Sequence, residues 1–279
     1  MPIHDQGYRR YGGSRAEAGR AWQVIARAGI QSIISKRSFI ALMLFAWAPF
    51  LVRAVQIYVS ANFQQAAFLA PKGETFREFL ETQDIFVFFV TIWVGAGLIA
   101  NDRRANALQL YLSKPLTAAE YICGKMAILF VFLTFVTFAP AMGLLLVEAI
   151  FAGSFTFIRN NAYLLPAITL FSLAQVLLAS TTMLALSSLS KSSRFVGIMY
   201  AGLMFFTAAL FQALRGITGS STFAWLSPGD SLEQLGDVIF RIQPRFDLPP
   251  AVAALTVLVL IVVSGLVLAR RVKGVEIVT

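Results

Sequence analysis

Residues 101–125 read N-D-R-R-A-N-A-L-Q-L-Y-L-S-K-P-L-T-A-A-E-Y-I-C-G-K, the most highly patterned polar segment in an otherwise apolar chain. Long apolar runs flank it on both sides. It is therefore either a loop at a membrane face or a surface helix of an unusual soluble protein, and composition separates the two. Of 279 residues, 58% are hydrophobic and 13% charged, against about 45–50% and about 25% in an ordinary soluble domain. So little polar surface cannot cover a soluble fold. The chain reads as all-α integral membrane, a single transmembrane domain over 1–279.

Spans follow from the need for about 20 apolar residues to cross a bilayer. Six are expected, over 38–60, 85–100, 126–151, 163–189, 195–214 and 248–269. Ahead of them, residues 1–37 form a basic tail. Within it, Trp22, Ile25, Ala26, Ile30 and Ile33 share one helical face, while Arg20, Gln23, Arg27 and Gln31 mark another. Such a helix suits the membrane interface; the alternative is an amphipathic helix packed on a protein core. Residues 75–83 fit a short surface helix. Segment 215–247 carries the turn Ser227-Pro228-Gly229-Asp230, then a stripe of Leu232, Leu235, Val238 and Ile239. It reads as a helix lying on the outer leaflet or dipping into it.

Charge sets the expected orientation. The tail, the 101–125 loop, the 190–194 turn and the carboxyl end hold 16 of the 23 Lys and Arg, and the other side holds 6. The positive side is cytoplasmic, which places both termini and the 101–125 loop in the cytosol of a bacterial-type cell with the chain in its inner membrane. The net charge of +9 is then topology and no argument for nucleic acid. A single cysteine, Cys123, excludes an internal disulfide, and the single histidine, His4, lies in the polar tail. Histidine-based catalysis and Cys/His metal sites have no material to work with. No G-x-x-x-x-G-K-[ST] occurs either, so the chain has no phosphate loop of its own.

Seen as a cytosolic loop, 101–125 has a mechanical form. Asn101 or Asp102 can cap a helix carrying Leu108, Tyr111 and Leu112 on one face. Lys114-Pro115 stops it. Thr117 and Glu120 then fit a capping box, with Leu116 and Tyr121 at the staple positions, and the new helix runs into the third span.

These residues, from Gly97 through Lys125, resemble the loop between spans two and three in permease subunits of ABC-2 type transporters. There an acidic residue precedes a Leu-rich helix with Pro at its end, followed by an acidic residue and Gly-Lys. Asp102 stands where Glu is common, and Ala118 or Ala119 where Arg often follows the Pro. The resemblance implies an ATP-driven transporter half, exporter-like, with 101–125 as the coupling helix. It would dock on a separate ATP-binding subunit, two copies per complex. A second permease chain would complete a homodimer or heterodimer. By position, Asp102, Arg103 and Arg104 would make polar contacts to the ATPase. Leu108, Tyr111 and Leu112 would fill its groove, and Pro115 and Glu120 would shape the joint. ATP and magnesium would sit on the partner, leaving this chain without a cofactor or catalytic residues. The alternative is a scaffold or sensor that recruits a cytosolic protein through the same loop without transport.

Ionisable and amide residues within spans are candidates for a translocation path. Among them Arg53, Gln56 and Gln175 are the possible path residues. Arg53 could instead snorkel outward or pair with Glu148, and Gln56 and Gln175 could simply bind helices together.

Overall fold

The computed structural model describes residues 20–107, 116–151 and 156–272. Every regular element in that set is a helix. A basic-faced helix, α1 (Ala21–Ile34), precedes six helices long and apolar enough to cross a membrane. These are α2 (Arg37–Asn62), α3 (Gly73–Arg104), α4 (Ala118–Phe151), α5 (Leu164–Leu189), α6 (Ser193–Thr218) and, after a shorter α7 (Pro228–Ile239), α8 (Pro250–Arg271). The shortest span has 22 residues; at about 1.5 Å per residue this reaches about 33 Å, enough for a hydrocarbon core. A helix satisfies its own backbone groups, which is the condition for crossing lipid.

Burial sorts the spans. In α3, α4 and α5 more than half of the most apolar stretch is buried, whereas in α2 only 11% is. The first group forms the centre and α2, α6 and α8 the periphery. One apolar cluster joins α3, α4 and α5 through Val90, Leu129, Leu133 and Met183. A second joins α3, α4, α5 and α7 through Phe79, Leu144, Phe171 and Leu232.

Several helices are broken where the sequence demands it. Pro140 cannot donate to the carbonyl four residues back, and α4 bends at Thr137, whose hydroxyl turns back to the Leu133 carbonyl at 2.9 Å. α2 kinks at Trp47, just ahead of Pro49. In α3, a π-helical turn occupies Thr91–Gly95. Gly95 faces Met183 so closely that a Cβ would stand 2.3 Å from its Cγ.

Two expectations need correction. The sequence pattern predicts a second span over 85–100 with a separate surface helix at 75–83; instead one helix starts at Gly73 and runs through both. Phe76, Phe79 and Leu80 are completely buried, so this acidic stretch belongs to the bundle. The stretch from 228 to 239 is a helix, started by Ser227 accepting from the Asp230 amide, but it is not laid on a surface by its apolar stripe. It packs against α8, α5, α6 and α3. Ser231, Gln234 and Asp237 are among its most buried residues, while Val238 is exposed. Gln234 explains how this is tolerated, since its amide donates to the Phe246 and Leu248 carbonyls and accepts from the Phe246 amide.

Candidate functional site

At the end of the bundle that carries 101–125, the described residues flank the loop closely. Leu108, Tyr111, Leu112 and Pro115 lie outside the described residues. On the near side, α3 closes with Ala100–Arg104. On the far side, α4 starts with the expected capping box: Thr117 Oγ1 accepts from the Glu120 amide at 3.2 Å, and Glu120 Oε2 accepts from the Thr117 amide at 3.0 Å.

A polar latch joins the two sides. Asp102 accepts from Tyr121 Oη at 2.7 Å and pairs with Lys125 Nζ at 2.7 Å. The Lys125 ammonium also lies 5.4 Å from the centre of the Tyr121 ring. Arg103 Nη1 donates to the Ser188 carbonyl at the end of α5. Next to it, buried Ser187 is saturated: Oγ accepts from the amides of Ile99 and Ala100 and donates to the Ala96 carbonyl, each within 3.1 Å. These bonds suit a helix end, where backbone amides lack helical partners. Asp102 and Arg103 thus spend their polar groups inside the chain, and Arg104 alone of that trio is exposed.

α1 is bound to the same place. Gly124 of α4 meets α1 with no room for a side chain, since a Cβ there would lie 2.9 Å from Ile25 and 3.0 Å from the Trp22 carbonyl. The latch therefore couples the start of α4, the end of α3, the end of α5 and α1.

The opposite end holds a group of charges that inspection of the sequence did not connect. Arg77 of α3 has a side chain only 2% exposed. Its Nε lies 3.2 Å from Asp237 Oδ1, its Nη1 3.6 Å from Glu81, and its Nη2 donates to the Glu233 carbonyl at 3.2 Å. The guanidinium also covers the Phe171 ring at 4.9 Å. Gly236 makes the seat, because a Cβ there would stand 2.5 Å from Arg77 Nε. Arg245, beyond α7, then binds Asp237 at 2.8 Å, Glu233 at 2.9 Å and Glu81 at 3.0 Å. Hydrogen bonding to Glu81 holds the Arg245 guanidinium pKa well above its usual range. Burial pushes the Glu233 carboxyl up despite the pull of Arg245, and burial likewise raises Asp230 despite its bond to Ser227. The clue in sequence was spacing: Arg77, Glu81 and Asp84 fall on one helical face at three- and four-residue steps, as do Glu233 and Asp237.

The expected path residues part company here. Arg53 bonds Glu78 at 3.0 Å and Gln56 at 3.2 Å, on the outer side of α3. It does not pair with Glu148, which is buried in α4. Gln175 lines a cavity. Its Nε2 donates to Asp84, and both line a cavity of about 230 Å³ between α3, α5, α6 and α7, with Phe88, Tyr200, Leu232 and Glu233. Among the described residues, no three His, Cys, Asp or Glu side chains are grouped to hold a metal ion.

Comparison with protein-family models and with curated proteins finds no match to this chain.

Proposed function

We propose that the chain is the membrane-spanning permease of an ABC-2 type transporter, driven by a separate ATP-binding subunit through residues 101–125. The observation that carries this reading is the latch. A segment that receives a push needs rigid attachments on both sides, and Asp102, Tyr121, Lys125, Arg103 and Ser187 supply them. The six apolar helices and the sequence pattern around Pro115 support the same assignment. So does the charge bias, on the reading that this end and both termini face the cytosol of a bacterial-type cell. α1, with Trp22 half exposed and Arg27 exposed, then lies at the inner interface.

In this reading the ATPase groove receives Leu108, Tyr111 and Leu112, Arg104 offers it a cation, and Asp102 and Arg103 transmit the displacement inward. The peripheral, poorly buried α2 and α6 face lipid or a second permease chain. Cargo leaves the cell through rearrangement of the central spans.

The test is co-purification with the ATP-binding protein encoded nearest the gene, followed by ATPase turnover of the reconstituted complex. Leu108→Asp with Tyr111→Asp should abolish association. Retained association and turnover would sink the docking reading. Association that the substitutions abolish, in a complex whose turnover is no different from that of the free ATP-binding protein, would favour a non-transporting scaffold.

A further inference from the structure

The cavity between α3, α5, α6 and α7 sits beside a local imbalance of charge. Four carboxylates, those of Glu81, Asp84, Glu233 and Asp237, share the two guanidiniums of Arg77 and Arg245. Both guanidiniums are engaged by Glu81 and Asp237, and among the described residues no ion pair reaches Asp84. Among the described residues, Asp84 accepts from the amide of Gln175 on one oxygen. Gln175 itself is 3% exposed, and its Oε1 has no hydrogen-bond partner although the residue lines the cavity. A buried acceptor without a donor, and a carboxyl group that has no cation beside it when ionised, are costly inside a membrane helix bundle, and a donor cation relieves both.

The remaining walls tell what kind of cation fits. Phe88 and Tyr200 stack with ring centres 5.8 Å apart and both border the space; aromatic faces attract ammonium groups. Val87, Leu178, Ala179 and Leu232 supply apolar wall. A hard divalent ion would want six or more oxygen ligands, whereas the candidates here are Asp84, Gln175 and Glu233. A volume of about 230 Å³ also exceeds what a bare ion needs. We propose that this cavity binds a small organic ammonium ion, its charged head donating to the second oxygen of Asp84 and to Gln175 Oε1 beside their mutual hydrogen bond, and its apolar body against Phe88 and Tyr200.

The proposal concerns binding alone, so it stands or falls separately from the docking of an ATPase. The full chain, purified in detergent, is titrated calorimetrically with phenethylammonium, 3-phenylpropan-1-ol and 3-phenylpropionate. The ammonium should bind saturably and at least tenfold more tightly than the alcohol, with the carboxylate weakest. Asp84→Asn, which keeps shape and volume, should weaken the ammonium at least tenfold and leave the alcohol unchanged. Should Asp84→Asn fail to fold, Met204→Trp serves instead; it fills the cavity from α6 and should abolish binding. Equal affinity for all three probes would mean partition into apolar surface and overturns the proposal. So would wild-type affinity in Asp84→Asn or Met204→Trp, and so would absence of ammonium binding, which would leave a proton on Asp84 as the compensating charge.

Discussion

Replacing Arg77 by Met tests whether the charge group between α3 and α7 organises the bundle. Arg77 and Asp237 each have side chains 2% exposed, which places the pair in the buried regime where solvent does not screen a loss. Removing one partner of such a pair costs about 3–5 kcal/mol, because the other charge is left without compensation. Arg245 still holds Asp237 through two bonds, at 2.8 and 3.1 Å, so the lower end applies. At about 2–4 °C per kcal/mol for a chain of a few hundred residues, a loss of about 3 kcal/mol lowers Tm by about 6–12 °C. Thermal unfolding in detergent, followed by tryptophan fluorescence, reads this directly. The companion variant is Asp237→Asn, with the double variant closing a cycle. Once Asp237 is neutral, losing Arg77 strands less charge, so the double variant should recover about 1–3 kcal/mol relative to the summed single losses. A Tm drop under about 2 °C for Arg77→Met, or strict additivity in the cycle, would refute the reasoning.

Other predictions concern the latch and its surroundings. Ser187→Ala strips two backbone amides and one carbonyl of their partner in a buried site, and should cost about 1–3 kcal/mol with faster hydrogen exchange at Ile99 and Ala100. Thr117→Ala removes the capping box and should cost about 1 kcal/mol, localised by exchange to the first turn of α4. Gly124→Ala drives a methyl group into Ile25 and the Trp22 carbonyl; it should cost about 1–3 kcal/mol and shift Trp22 emission, whereas Gly265→Ala, with open space around it, should be silent. Asp230 and Glu233 bind their protons more tightly folded than unfolded, so their contribution to stability is complete below their ordinary values of 3.8 and 4.5 and is lost as pH rises through the raised folded values. Glu233→Gln should therefore make the decline of Tm above pH 4.5 shallower.

What the sequence made legible is what depends on local pattern. Apolar length located six membrane-capable helices, and the Thr117 to Glu120 spacing located the start of α4 to the residue. Failure came where partners are remote. Thr75 to Gln83 looks like surface in the sequence because acidic residues usually mean solvent; here Arg77 and Glu81 have partners that arrive from α7 and Arg245. Depth along a helix can be counted from sequence, but rotation about it cannot. Depth makes Glu148 one of several options for Arg53, while the actual partner, Glu78, is selected by which face of α2 meets α3. Gln175 was legible as a polar residue in a span, but not as the neighbour of Asp84. The latch was half visible: Asp102 was singled out, but its engagement with Tyr121 and Lys125 required the two helices to be seen side by side.

Arg77 also sets a problem of timing during synthesis. Its partners in α7 lie 156 residues further along the chain. At about 5–20 residues per second, the ribosome needs about 8–30 s to produce them. Throughout that interval, the charged first half of α3 has neither Asp237 nor Arg245 to neutralise it. The buried arrangement thus cannot be an early product of insertion. The expected order is that the first turns of α3 stay hydrated while the apolar half from Val87 onward enters the bilayer, and are buried once α7 arrives. The last third of the chain is, in this sense, the bolt that lets the second span finish inserting.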